Sequence, residues 1–350
     1  MSEISPPYCL FLADATDPKA IKTASGVVEW DPALAACEFA LPGCTVSTGI
    51  PRAASLSEAA EKYGAKTLVV GVVTNTGSTF PASWQETFIK AMHEGLDVAS
   101  GMHAKLEDQM NVVHASRIYG RNLHDFRYSP KTYGIGKGVK RSGFRLLTVG
   151  QDCNIGKKYT AIALYREMTR QGLDASFCYT GQTGALIYPE SRGVVLDTTP
   201  ADFLTGAVEW MSPAANRAHW DIIEGQGSFL NPSFGQVSLA LLLGSQPDYL
   251  VMCVDPTREW LRGTDYSPLP LEEDIDLNLL AARRTNPDCK LLGISINYTD
   301  IDERLRPAAT KTYFEVAQKY GAVVFDPNSR SMMSPAIDRV RRRTYTSGPV

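Results

Sequence analysis

Two α/β domains, each built on a mostly parallel sheet, are what this sequence predicts, and three observations carry the prediction. Short apolar runs alternate with amphipathic helical runs along nearly the whole chain, the pattern of strands joined by crossover helices. The 350 residues exceed one ordinary domain, and at about 150 residues each they make about two. A stretch from Tyr128 to Gly143, holding four Gly, one Pro and several Lys or Arg, interrupts the alternation. The expected organisation is a Rossmann-like domain over 1–138 and a doubly wound phosphate-loop domain over 139–350, ending in a solvated basic tail, RVRRRTYTSGPV.

In the first domain YCLFLAD, GVVEW and KTLVVGVV read as buried strands, because each is a short apolar run. SLSEAAEKYG reads as a helix capped by Ser55 or Ser57 and stopped by Gly64, and PASWQETFIKAMHEG as another running from Pro81 to Gly95. LDVASG is the next strand. The Tyr128–Gly143 stretch is a linker or a basic flap over a ligand. The second domain then runs through strand FRLLTVG, helix KKYTAIALYREMTRQG, strands DASFCYTG and WDIIEGQG, helix QVSLALLLGS, strands DYLVMCVDP and KLLGISIN, helix TKTYFEVAQKYG and strand AVVFDP. In such a sheet the strand ends form one ligand crevice.

Composition narrows the function. Hydrophobic residues at 44% and charged residues at 21% mark a globular chain. A net charge of −3 gives no bulk attraction to nucleic acid. No apolar run reaches the roughly 18 residues of a membrane span, and MSEISPP lacks the basic-then-apolar order of a secretory signal. Seven cysteines with no Cys-x-x-Cys, and five scattered histidines, argue against a disulfide framework or a structural zinc and for a reducing cytoplasm. Small molecules are the expected partners, with a homo-oligomer expected on general frequency alone.

The sharpest feature is Gly150-Gln151-Asp152-Cys153-Asn154-Ile155-Gly156-Lys157-Lys158, which follows an apolar strand and opens a helix that continues at Tyr159. That is the setting of a phosphate loop: glycines admit close backbone approach, the helix start presents N–H groups, and Lys157 supplies a cation. Two departures matter. Five residues separate the glycines where four are usual, a spacing that resembles dethiobiotin-synthetase-type loops. The hydroxyl residue that normally follows the lysine and holds magnesium is Lys158. Phosphate binding without a metal is therefore expected, as for the ADP portion of coenzyme A.

Three further polar loops follow strands on the same expected edge: Thr180-Gly181-Gln182-Thr183-Gly184, Glu224-Gly225-Gln226-Gly227-Ser228 and Asp255-Pro256-Thr257-Arg258. Glu224, ending an apolar strand, is expected to be desolvated with a raised pKa, which suits a general base, and a structural, paired Glu is the alternative. Asp255 and His103 are the other base candidates. Asp152 either shares that role or braces its own loop. Gln182, Thr183, Gln226 and Gly227 supply donors to a substrate, and Arg258, with Arg262 four residues on, holds a carboxylate. Ser228 and Gly227 offer backbone N–H groups to an oxyanion. Cys153, at a helix start, is a less favoured nucleophile. In the first domain, Asn75-Thr76-Gly77 and Ser100-Gly101-Met102-His103 end strands, and no Gly-x-Gly-x-x-Gly follows the first strand, so NAD is not expected.

TVGQDCNIGKKYTAIALYREM, IIEGQGSFLNPSF, GSQPDYLVMCVDPTR, the early KTASGVVEW and GLDVASGMH resemble one bacterial family, formerly a domain of unknown function, whose members are D-glutamate N-acetyltransferases of D-glutamate catabolism. The motifs agree in their order along the chain, and the likeness runs from about Ala20 to Pro327. The family pattern carries His before the Pro that follows the Gly-Gln-Gly-Ser motif, where this chain has Asn231, a residue that donates a hydrogen bond but does not titrate. The resemblance implies direct transfer of acetyl from acetyl-CoA to the D-glutamate amine, with no metal. It also accounts for cations such as Arg258, since that substrate carries two carboxylates. The competing readings are an ATP-dependent, dethiobiotin-synthetase-like ligase or kinase acting on a small carboxylic acid, and a non-catalytic nucleotide sensor.

Overall fold

The computed structural model describes residues 4–72 and 79–346. They form two compact units, Met1–Pro130 with Gln182–Glu190, and Lys131–Gly181 with Ser191–Val350. The second unit thus lends one short segment to the first, and Lys131 to Gly138 belong with the second unit rather than the first.

The first unit runs β1 (Tyr8–Ala13), α1 (Lys22–Trp30), β2 (Ala35–Ala40), α2 (Leu56–Glu61), β3 (Thr67–Val70), α3 (Ala82–His93), β4 (Asp97–Ser100), α4 (Met110–Tyr119) and β5 (Leu123–Asp125). Its strands pair in parallel in the order β2-β1-β3-β4-β5, the Rossmann-like arrangement expected. Ser55 caps α2 by accepting from Glu58 N at 3.0 Å, and Gly64 and Gly95 follow their helices with φ of +68° and +86°. The GVVEW strand is corrected: those residues lie in α1, whose buried Thr23, Ala24, Gly26 and Val27 share one helical face. The strand paired to β1 is instead β2, AACEFA, which carries the buried Glu38. Burial pushes the Glu38 carboxyl up, but Thr48 N and Oγ1, Ser47 Oγ and Arg52 Nε all donate to it and hold it below the ordinary range.

The chain continues with β6 (Phe144–Gly150), α5 (Lys157–Arg170), β7 (Ala175–Cys178), α6 (Gln182–Ile187, which belongs with the first unit), α7 (Leu204–Met211), β8 (Trp220–Ile223), α8 (Gly235–Ser245), β9 (Tyr249–Val254), α9 (Leu271–Arg283), β10 (Lys290–Ile296), α10 (Arg306–Lys319), β11 (Val323–Phe325) and α11 (Arg330–Thr346). The second sheet is also all parallel, ordered β11-β10-β9-β6-β8-β7. Parallel pairing puts every strand's C-terminal end on one edge. The loops after β9, β6, β8 and β7 are therefore neighbours in that order.

Two further expectations are corrected. The Tyr128–Gly143 stretch is no free linker from Lys131 onward, because its backbone and cations are tied to the second unit. Glu209 accepts from the N–H groups of Lys137 and Gly138 at 2.7–3.0 Å, and Arg141 donates to the Ser212 and Gly244 carbonyls at 2.7 and 2.8 Å. The buried Arg145 guanidinium then donates to Ser212 Oγ and to the carbonyls of Arg141, Ser142, Gly143 and Pro213. The basic ending is no solvated tail as far as Thr346. It is α11, whose Met333, Ala336, Ile337 and Val340 are buried at helical spacing, while Arg341 donates to Gln171 Oε1 at 2.7 Å and Arg343 lies over the Phe144 ring. Among the described residues no helix is long and apolar enough to cross a membrane.

Candidate active site

The phosphate loop sits where the central strand β6 ends. Gly150 closes the strand with no room for a side chain, since a Cβ there would lie 2.7 Å from Ile155 Cδ1 and 3.0 Å from the Cys253 carbonyl oxygen. The loop then turns through Asn154 at φ +55° and Gly156 at φ +107° before α5 starts at Lys157. Cys153 is half-buried and Asn154 exposed. Lys157 is only 6% exposed and folds back to donate to the Asp152 carbonyl at 2.5 Å. Burial lowers its pKa from the ordinary lysine value, against the pull of Cys153, Cys253, Asp152 and Glu224. Lys158, on the same first turn, lies 5.0 Å from the Tyr159 ring centre.

Asp152 is the loop's brace. Its carboxylate is wholly buried and accepts from Asn231 Nδ2 at 3.1 Å and from Arg262 N at 2.9 Å, with Arg258 Nη1 at 3.2 Å. One side chain thereby ties the loop after β6 to those after β8 and β9. Arg258 also lies 3.5 Å from Asp255, whose other oxygen accepts from Thr257 N and Oγ1. Arg258 thus serves as counter-ion to two carboxylates. The Arg258–Arg262 segment is irregular rather than helical, so the two arginines share no helix face, and Arg262 meets Asp152 through its backbone. Asn231 also donates to the Arg262 carbonyl at 3.3 Å, so it is a structural donor between these loops.

The loop after β8 is tied to β6, to the phosphate loop and to the loop after β7. Gly225 N donates to Thr148 Oγ1 at 2.9 Å, and Ser228 Oγ donates to the Gln151 carbonyl at 2.9 Å. Gly227, at φ +62°, leaves no space for a Cβ, which would fall 2.0 Å from the Phe234 carbonyl oxygen. Gln226 Nε2 approaches Gly181 so closely that a Cβ on that glycine would meet it at 2.4 Å. Glu224, 3% exposed, points to the loop after β7 and accepts from Thr180 N at 2.9 Å and Gly181 N at 3.1 Å. Burial raises its pKa above the ordinary carboxylate value, against those two amides and the Lys158 and Lys157 ammonium groups. A desolvated carboxylate whose proton affinity is raised is suited to accept and release a proton.

The remaining candidates lie in the first unit. His103 Nε2 is 3.1 Å from Arg127 Nη2, and because arginine only donates, that nitrogen is the acceptor. Arg127 Nη1 donates to Gln182 Oε1 at 3.0 Å and to the Gly101 carbonyl at 2.7 Å, so His103 and Gln182 meet through a buried arginine that the sequence reading missed. Thr183 is buried on the same short helix α6. Asn75, Thr76 and Gly77 lie outside the described residues. Among the described residues no group of three His, Cys, Asp or Glu is placed to hold a metal ion.

Comparison with known proteins agrees with the two-domain fold. Residues 133–334 match the model of a P-loop domain of unknown function, DUF1611_C, and residues 39–129 that of the Rossmann-like DUF1611_N. A protein of Tritonibacter scottomollicae named D-glutamate N-acetyltransferase is 43% identical over 93% of this chain and 95% of its own. One of the same name from Pseudoalteromonas is 42% identical over 93% of this chain and 96% of its own. The crystal structure of a DUF1611 family protein from Anabaena variabilis aligns with a TM-score of 0.82 at 25% identity, covering 97% of this chain and all of that one.

Proposed function

The chain belongs to the DUF1611 family, and from that premise we propose that it is a D-glutamate N-acetyltransferase, moving acetyl from acetyl-CoA to the amine of D-glutamate. The observation that carries this reading is the near-full-length identity to two proteins of that name. The site supplies matching chemistry: a phosphate loop whose magnesium-binding hydroxyl is replaced by Lys158, beside the buried Glu224.

At neutral pH the substrate amine is an ammonium and must lose a proton before it attacks. Glu224 is the base that takes it, and a positioned base is worth about 10²- to 10⁴-fold in rate. The nitrogen lone pair then adds to the thioester carbonyl carbon. The oxyanion so formed is stabilised by backbone N–H groups around Gly227 and Ser228, each such donor worth about 10²- to 10³-fold. Collapse breaks the carbon–sulfur bond, the nitrogen gives up its second proton to become the amide, and that proton passes to the departing sulfur, so coenzyme A leaves as the free thiol. The Ser228 hydroxyl, spent on the Gln151 carbonyl, holds the loops together rather than attacking. The reaction takes no metal and belongs to amino-acid catabolism in the cytoplasm.

The test is an assay of acetyl-CoA with a panel of D- and L-amino acids, following free thiol. Thiol release with D-glutamate ahead of the panel supports the reading. Inertness towards the whole panel, with ADP formed from ATP and magnesium instead, would replace it by the ligase-type alternative.

A further inference from the structure

We propose that Lys158 stands in for the divalent cation of nucleotide phosphate loops, so that the loop selects a diphosphate diester over a triphosphate. The inference rests on the acyl-CoA reading above and names what that reading leaves open: how the loop neutralises its ligand and which phosphate ligands it prefers.

The position is the first argument. In nucleotide-hydrolysing phosphate loops the residue after the lysine carries the hydroxyl that holds magnesium. Here a lysine occupies that place on the first turn of α5, its ammonium within electrostatic range of Glu224. An ammonium does not ligate a cation and repels one, so magnesium loses both its ligand and its favourable field at this point. The nearest aliphatic hydroxyl along the helix does not compensate. Thr160 is 1% exposed, bonded to Ser295 Oγ at 2.8 Å, and accepts from Cys253 Sγ, all behind the loop.

The charge balance is the second argument. Asp152 is the only carboxylate in the loop sequence, and it is held by Arg258 at 3.2 Å, a cation it shares with Asp255, and by two further hydrogen-bond donors. Lys157 and Lys158 bring two positive charges to the start of α5, supplemented by the helix dipole. A diphosphate diester such as that within coenzyme A carries one ionised oxygen on each phosphate, and the two lysines, whose range also takes in Glu224, supply most of its counter-charge. A nucleoside triphosphate carries roughly four negative charges at neutral pH and stays undercompensated without an added cation.

Calorimetric titration of the full chain with coenzyme A, ADP and ATP, each in EDTA and in magnesium, tests this. The wild type is expected to bind coenzyme A equally with and without magnesium, and more tightly than ATP in EDTA. Lys158→Thr is expected to weaken coenzyme A in EDTA by about ten- to hundredfold, the worth of a charge-assisted hydrogen bond, and to gain affinity for magnesium-ATP. Lys158→Arg keeps the charge and should lose far less than Lys158→Thr, which separates charge from folding damage. Unchanged coenzyme A affinity in Lys158→Thr, or a magnesium requirement in the wild type, overturns the proposal. A wild type that binds no coenzyme A under either condition marks failure of the acyl-CoA reading itself.

Discussion

Replacing Glu224 by Gln probes the chemistry with little disturbance of the fold. The glutamine has the same shape and keeps an oxygen to accept from Thr180 N and Gly181 N, now at 2.9 and 3.1 Å. What it loses is the ability to take a proton, so kcat should fall by about 10²-fold or more. Coenzyme A should bind as tightly or more so, because a negative charge within range of Lys157 and Lys158 is gone. Stability gives an independent reading. Burial raises the Glu224 pKa above the ordinary 4.5, so the folded chain holds that proton more tightly than the unfolded chain. The wild type therefore gains stability relative to the variant as pH falls through the raised pKa towards 4.5, and above that window the variant is the more stable. The same group predicts that wild-type kcat/KM declines on the acid side at a pH above the ordinary carboxylate range. Free-thiol assays, coenzyme A titration and calorimetry across pH measure all of this. Turnover of Glu224→Gln within a few-fold of wild type, on a folded chain, refutes the assignment.

Cys153→Ala should retain turnover, since direct transfer needs no nucleophile in the loop, and mass spectrometry of the wild type with acetyl-CoA should find no acetylated Cys153. Gly225→Ala should destabilise strongly, because the added Cβ would lie 1.8 Å from the Thr148 carbonyl oxygen and 3.1 Å from Lys157 Cδ. Backbone cannot yield there cheaply, so a loss of about 3 kcal/mol or more is expected, read as a melting temperature lower by roughly 6–12 °C. Asn231→Ala removes donors from the buried Asp152 and from the Arg262 carbonyl. It should cost about 1–3 kcal/mol in denaturant unfolding and raise KM for acetyl-CoA as the loop loosens.

The strands around the phosphate loop were legible because they are buried on both faces and read as continuous apolar runs. The glycine spacing likewise marked the loop without any knowledge of its neighbours. Elsewhere local pattern and tertiary structure part company. In α1 the short apolar run GVVEW passes for a strand, and only the wider Thr23, Ala24, Gly26, Val27 face shows the helix. In β2 the converse holds: Glu38 breaks the apolar run, and the groups that make its burial tolerable, Ser47, Thr48 and Arg52, come from 9 to 14 residues away. The arginines of the C-terminal segment suggested solvation, yet the spacing of Met333, Ala336, Ile337 and Val340 was a usable helical signal. At the site, Glu224 could be picked out as a carboxylate ending an apolar strand. The partners of Arg258 and Arg127 could not. A guanidinium reads the same in sequence whether it meets substrate, Asp152 or Gln182, and those pairings are made only by the sheet order and the packing of each unit.

The central claim is that the loop from Gly150 to Lys158 holds the diphosphate of an acyl carrier with its own lysines. A crystal structure of the full chain grown with acetyl-CoA in the presence of magnesium tests it most directly. Phosphate oxygens on the loop N–H groups, Lys157 and Lys158, with no ion between them, is the predicted result. A carrier seated away from this loop, or its phosphates reached only through a bound divalent ion, would contradict it.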